Sequence, residues 1–104
     1  MHFATGNTSR WYISHDGNFL PFSNGQVDIG SSGARVRDIY TSDLNLSNEG
    51  STNDVDGTWG SYTIQEGEDD LFLINKRSGK KYKFNLTEVS LSLIHISEPT
   101  RLTM

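Results

Sequence analysis

The chain has 104 residues, a formal net charge of −4 and no cysteine, which excludes disulfides, thiolate metal sites and cysteine nucleophiles. A chain of this length forms one small domain or part of a larger one. Counting Gly and leaving Tyr out raises the apolar share from 34% to about 40%, below the ~45–50% of an ordinary globular domain. Such a lean composition predicts a fold that depends on partner chains.

Charge and hydropathy also limit the partners of the chain. An acidic balance argues against a nucleic-acid-binding surface, which normally carries a basic stripe. No apolar run approaches the ~20 residues that a membrane-spanning helix needs. The first residues lack the charged and apolar regions of a secretory signal. We therefore expect no nucleic-acid partner, no membrane insertion and no secretion, which leaves a cytoplasmic product or a virion component.

The first half of the chain predicts short strands separated by turns. Residues 10–14 are rich in aromatic and β-branched side chains and predict a strand. The turn at residues 15–18 contains Asp16-Gly17, a favourable pair for a type I′ turn, before a short return strand that ends at Pro21.

The next segments are less regular. Residues 26–29 predict a brief extended piece before a Gly-Ser-Ser-Gly loop at residues 30–33. Residues 35–40 fit either a strand or one helical turn. Leu44 and Leu46 alternate with polar residues, as in a half-buried strand. The polar residues 49–56 are expected to connect the two halves of the chain.

The second half predicts a three-stranded antiparallel meander. Residues 59–64 form its first strand, and residues 65–69 the following turn. Residues 70–75 are apolar on both faces, which predicts a central strand covered on both sides.

The meander closes with a hairpin and a third strand. In the turn at residues 76–79, Gly79 is expected to take the left-handed conformation. The third strand alternates, with Tyr82, Phe84 and Leu86 on one face and polar side chains on the other. Together these elements predict an all-β fold.

Two blocks carry a family resemblance. The first comprises residues 10–13, 16–21, 27–32 and 35–40, and the second comprises residues 43–48, 55–67, 69–75 and 78–86. From Ser9 to Val89 the chain resembles phage tail-fibre or virion structural proteins of marine and metagenomic phages. The first block is similar to the short β repeats of their shafts, expected over residues 1–48. The second is similar to a module near their C-terminus, expected over residues 57–90.

The resemblance implies a homotrimeric β fibre segment that takes part in host attachment. Its expected partners are other tail-fibre segments and a glycan or protein receptor on the host cell surface. It places the protein in the virion, after synthesis in the bacterial cytoplasm. It implies no catalytic residue, no cofactor and no metal.

The end of the chain resembles something else. Residues 91–101 match, letter for letter, the translation of a transposon-derived adapter used in sequencing libraries. We therefore expect residues 91–104 to be a non-native tail, and Met1 could equally lie inside a longer gene.

Several polar groups suggest sites that simpler explanations account for. His15 and Asp16 are adjacent, but a turn explains both, and no nucleophile is specified. The segment around Asp54, Asp56 and Gly57 is similar to half of an EF-hand, yet Thr63 stands where a Glu is required. The glycine loop at residues 30–33 has no following lysine to bind a phosphate. A looser cation site remains open, formed by Asp54, Asp56, Glu66, Asp69 and Asp70.

Four aromatic residues are the main candidate contacts: Trp11, Tyr12, Trp59 and Tyr62. In a lean β protein such side chains mostly form the core or pack between chains, and contact with a glycan is the alternative.

The leading hypothesis is therefore a non-catalytic, trimeric fibre module. One alternative is an accessory segment of a polysaccharide-degrading tailspike, although Glu66, Glu68, Asp69 and Asp70 crowd one predicted turn instead of flanking a sugar. Another is a monomeric carbohydrate-binding module, which requires exposed aromatic side chains.

Overall fold

A computed structural model describes residues 2–90, and in that range the chain forms seven β-strands and no helix, which confirms the all-β prediction. The strands are β1 (His2–Thr5), β2 (Thr8–Ile13), β3 (Phe19–Pro21), β4 (Leu44–Ser47), β5 (Ser61–Glu66), β6 (Leu71–Asn75) and β7 (Lys81–Lys83). They make two antiparallel sheets with the strand orders β1-β2-β3 and β4-β5-β6-β7. The chain divides into two compact units, Met1–Tyr40 and Thr41–Met104, and each unit contains one sheet.

The first hairpin of the N-terminal sheet was not predicted. Gly6 and Asn7 form a two-residue loop between β1 and β2, with φ angles of 56° and 67°. Two consecutive left-handed residues define a type I′ turn, whose twist matches that of antiparallel strands. The Gly-Asn pair was the sequence signal for this hairpin.

The second hairpin exists as predicted, but its turn is of another type. Gly17 has a φ of 92°, whereas Asp16 is not in the left-handed region. The Gly17 N–H donates to the Ser14 carbonyl at 2.9 Å, and the Ser14 N–H donates to the Asn18 carbonyl at 2.8 Å. The predicted type I′ turn is therefore wrong, because one left-handed glycine closes a three-residue loop instead.

Residues 22–40 contain no strand. The extended piece expected at residues 26–29 pairs with no other strand. Residues 35–40 form neither a strand nor a helical turn, the two structures that their sequence allowed. The regular feature here is a tight turn in which Ser31 and Ala34 exchange backbone hydrogen bonds of 3.0 and 3.2 Å.

The predicted meander is confirmed as β5, β6 and β7, and β4 extends it as a fourth strand alongside β5. β5 starts and ends two residues later than predicted, so the turn lies at residues 67–70. Gly67 suits this turn because a Cβ atom there would lie 2.6 Å from the Phe72 ring. β7 is shorter than predicted and ends at Lys83, although the Phe84 N–H still donates to the Leu71 carbonyl at 3.0 Å.

The polar loop is not the connection between the two halves. Residues 49–56 lie inside the C-terminal unit, where they belong to the segment that joins β4 to β5. The boundary between the two units lies between Tyr40 and Thr41 instead, because Leu44 and Leu46 on β4 pair with β5. The residues expected to be a non-native tail, 91–104, lie outside the described residues.

No hydrophobic side chain is buried within residues 2–90, where Thr63, at 4% exposure, is the one buried residue. The prediction that β6 is covered on both sides is therefore wrong for the single chain, since all five of its residues are half-buried. Among the described residues each unit contains one sheet, so residues 41–90 provide no second layer over the faces of β6.

We expect Gly79→Ala to lower the free energy of unfolding by about 1 kcal/mol, because Gly79 has a φ of 80° that disfavours a Cβ atom. Nothing lies within 4 Å of that Cβ position, so the cost comes from the backbone alone. Urea unfolding followed by circular dichroism measures the difference. Gly33→Ala is the matched control, since its Cβ also meets nothing and its φ is ordinary. Equal stability of both variants would contradict the turn geometry.

Candidate functional site

The first two candidate aromatics lie on opposite faces of the N-terminal sheet, because Trp11 and Tyr12 are neighbours on β2. The Trp11 ring stacks on Phe19, with centroids 4.8 Å apart and planes at 7°. The Tyr12 ring contacts Phe22 at a centroid distance of 4.7 Å. Each ring thus packs against a neighbour on its own side of the sheet, and the two do not form a joint site.

The other two candidates come together in the C-terminal unit. Trp59 and Tyr62 are half-buried and line one open depression of about 650 Å³ at the start of β5. We call it the Trp59 depression; its other polar lining includes Asn45, Asn48, Asn53 and Asp56. Two of the four candidate aromatic residues, Trp59 and Tyr62, therefore lie at one site.

Arg77 fixes the position of Trp59. Its guanidinium carbon lies 3.7 Å from the centroid of the Trp59 ring, and its Nη1 donates to the Trp59 carbonyl at 3.0 Å. A guanidinium over an indole face is a favourable cation–π arrangement. One face of the indole is therefore occupied, and Trp59 also lines the depression.

Tyr62 is held from two sides. Its hydroxyl oxygen accepts a hydrogen bond of 3.4 Å from Nδ2 of Asn75. Its ring lies over Gly60, where a Cβ atom would stand 2.9 Å from the ring carbon Cε1. Gly60 thus permits the ring position that a larger residue would disturb.

The loop that precedes Trp59 in the chain is stabilised by Asn53, Asp56 and Thr58. Oδ1 of Asp56 accepts hydrogen bonds from Asn53 Nδ2 at 2.9 Å, Thr58 Oγ1 at 2.7 Å and the Thr58 N–H at 3.2 Å. Oδ1 of Asn53 accepts from the N–H groups of Val55 and Asp56 at 2.7 and 2.9 Å. These bonds, led by those from Thr58 and Asn53, lower the pKa of Asp56 below its ordinary value of 3.8.

The acidic residues do not form a metal site. Within residues 2–90, no three carboxylate or imidazole groups lie together as metal ligands would. The looser cation site considered for Asp54, Asp56, Glu66, Asp69 and Asp70 is thus not assembled in this chain. Asp56 has a structural role instead, as the acceptor that closes its own loop.

The remaining polar candidates are surface residues. His15 and Asp16 occupy the exposed β2–β3 loop. The glycine loop at residues 30–33 forms the Ser31–Ala34 turn. Glu66 ends β5, while Glu68, Asp69 and Asp70 lie in the exposed turn that follows it.

Sequence reasoning missed the polar residues that shape the depression. Asn45 and Asn48 border it from β4 and the loop after it, and Arg77 orders Trp59 from a turn 18 residues away. The Asn-x-x-Asp spacing of Asn53 and Asp56 was a local signal for a side-chain-stabilised turn. No sequence pattern could have indicated Arg77.

No family model, curated protein or solved structure matches the chain. Within the part of the chain that the structure describes, no helix is long and apolar enough to cross a membrane.

We expect the carboxyl group of Asp56 to titrate with a midpoint below 3.8 in the folded protein. Because its folded pKa is lowered, Asp56 stabilises the fold above about pH 4, and this contribution disappears as the pH falls through the folded pKa. NMR titration of the side-chain carbon measures the midpoint directly.

Thr58→Val removes the Oγ1 bond and should raise that midpoint toward 3.8. Thr52→Val is the control, since it changes an exposed threonine outside the Asp56 hydrogen bonds. An unchanged midpoint in Thr58→Val would contradict the proposed cause of the shift.

Proposed function

We propose that the chain is a non-catalytic structural module of a phage tail fibre, which assembles as a homotrimer in the virion and contributes to attachment to the host surface. The observation that carries the assembly is an apolar sheet face with no cover in its own unit. The assignment to a phage fibre draws on the sequence resemblance from Ser9 to Val89.

The register of the C-terminal sheet defines this face. Residues directly opposite one another on paired strands point to the same side of a sheet. The side shared by Leu44, Ile64, Leu73 and Tyr82 is one continuous row across all four strands. This row and its neighbours on the same side of the sheet, Leu46, Tyr62 and Leu71, are called the apolar face below.

The opposite face differs in character. On β4 and β5 it carries polar side chains, among them Asn45, Thr63 and Gln65. On β7 it carries Lys81 and Lys83, which are exposed. On β6 it carries Phe72 and Ile74, which are half-buried. Large apolar side chains on this face are thus confined to β6, whereas the other face carries them on all four strands and suits an apolar partner better.

The exposure of the apolar face favours the binding of a protein partner there. Three side chains of the apolar face are nearly half exposed: Leu44 at 47%, Leu46 at 48% and Tyr82 at 47%. An uncovered apolar face of this kind typically marks a protein–protein interface. Further copies of the chain are the simplest partner, because closed symmetry buries the same face of every copy around one axis.

A monomeric carbohydrate-binding module is the second candidate. The Trp59 depression favours it, since an aromatic ring beside amide and carboxylate groups is suited to a sugar. This candidate differs from the first in oligomeric state, which makes the two experimentally separable.

We expect light scattering coupled to size-exclusion chromatography to give three times the 11.6 kDa mass of one chain. An unboiled SDS gel should show the same species if the trimer resists the detergent. A monomer of 11.6 kDa with full β-sheet circular dichroism would contradict the trimer and favour the binding module.

We expect the double variant Leu44→Lys and Tyr82→Lys to dissociate the trimer. Burial of a large apolar side chain contributes about 2 kcal/mol, so charging two positions per chain should remove most of the assembly energy. Both residues lie on edge strands and are nearly half exposed, so a monomer can accommodate the lysines.

The matched control changes charge on the opposite face through Lys81→Glu and Lys83→Glu. These variants should keep the trimer, as measured by sedimentation equilibrium. Loss of the trimer in the control, or its retention in the Leu44/Tyr82 variant, would place the contact elsewhere.

A further inference from the structure

We propose that the Trp59 depression binds a neutral sugar ring, with Trp59 as the apolar platform and the amide of Asn48 as a hydrogen-bond donor. The inference deepens the proposed attachment role and rests on it for the source of the sugar, which is the host surface. Its chemical argument comes from the residues of the depression alone.

The fold uses only one polar atom of the Asn48 amide. Its Oδ1 accepts a hydrogen bond of 2.8 Å from the Gly60 N–H. The amide group is thereby fixed in orientation, and the bond assigns Nδ2 to its other end. This Nδ2 carries two N–H donors that the bond does not use. The Asn45 amide is not part of the site, because it bonds to Thr63 on the face of the sheet opposite to Tyr62.

Asp56 supplies an acceptor in the same way. The three hydrogen bonds from Asn53 and Thr58 all end on its Oδ1, which leaves Oδ2 as an acceptor. The same bonds lower its pKa, so the carboxylate is ionised at neutral pH. The depression thus offers both donors and an acceptor on side chains that are already held in place, which limits the entropy lost on binding.

The aromatic part of the site is equally ordered. Arg77 covers one face of the Trp59 indole at 3.7 Å, and Trp59 also lines the depression. The Tyr62 hydroxyl accepts from Asn75, so its own proton remains available for donation. An apolar ring next to fixed polar groups matches a sugar, which has C–H groups on its faces and hydroxyls on its rim.

Size and charge narrow the class of ligand. The volume of about 650 Å³ lies within the roughly 300–1,000 Å³ of small-molecule sites, enough for one or two sugar rings. The ionised Asp56 repels anions, which disfavours sialic and uronic acids. Because the depression is open, we expect a weak affinity, with a Kd on the order of 1 mM for a single sugar.

The test uses the full chain labelled with ¹⁵N and four probes: glucose, galactose, mannose and N-acetylglucosamine. We expect at least one of them to shift the side-chain amide signals of Asn48 and the indole signal of Trp59, saturably. Trp59→Ala should abolish these shifts of the amide signals, whereas Trp11→Phe, which changes the other tryptophan, should preserve them.

A second variant removes the amide donor of Asn48 while keeping the hydrogen bond that the fold needs. Asn48→Asp keeps the Oδ1 acceptor that the Gly60 N–H needs and removes the NH₂ donors, so the affinity should fall several-fold. An unchanged affinity in Asn48→Asp, or shifts that persist in Trp59→Ala, would overturn the site. So would the absence of any saturable shift, or a preference for glucuronic acid over glucose.

Light scattering on the same samples separates this inference from the proposed assembly. A trimer that binds none of the four sugars overturns the sugar site and leaves the structural module standing. A monomer that binds sugar through Trp59 overturns the trimer and supports the site.

Discussion

The absence of a buried hydrophobic core among residues 2–90 is the constraint on which the rest of this structure depends. Among residues 2–90 the one buried side chain is Thr63, a polar residue that donates to Asn45. Burial of apolar surface is the main favourable term in folding, and a chain that buries so little of it within each sheet has little to offset its conformational entropy. Several side chains of the apolar face, among them Leu44, Leu46 and Tyr82, are therefore left nearly half exposed.

Local hydrogen bonds, in place of a buried core, stabilise the loops and turns. The Asn53–Asp56–Thr58 loop closes on its own side chains, and the turn after β6 closes on Asn75, whose Oδ1 accepts from the N–H groups of Arg77 and Ser78 at 3.0 and 3.2 Å. Each such bond contributes only about 1 kcal/mol in net terms. They can order loops and set strand register, but they do not replace the packing of a second layer.

Sequence reasoning succeeded where the signal was local. The alternation after Gly79 and the apolar run at Leu71–Asn75 predicted the meander, because period-two patterns and left-handed glycines depend on neighbouring residues alone. It failed where one local pattern permits several structures. Asp16-Gly17 fits a type I′ turn as well as the three-residue loop that forms, and the burial of β6 depends on layers that the sequence does not specify.

The candidate site shows the same limit. Trp59 and Tyr62 could be singled out by residue type, but their meeting depends on the path of the β4–β5 loop. The Arg77 contact spans 18 residues and follows from the hairpin register, which places Lys76 beside Ser61 through a backbone bond of 2.8 Å. Partners that are distant in sequence become apparent only once the strands are aligned.

Assembly and binding make different demands on the same sheet, and the two surfaces meet at Leu46 and Tyr62. The row from Leu44 to Tyr82 crosses the sheet two residues away from the Leu46–Tyr62 pair that borders the Trp59 depression. Two residues of strand correspond to about 6.6 Å, roughly the width of one side chain. Copies packed on the row would thus contact the rim of the depression at Leu46 and Tyr62, while Trp59 and Asn48 lie beyond the strands, in the β4–β5 loop.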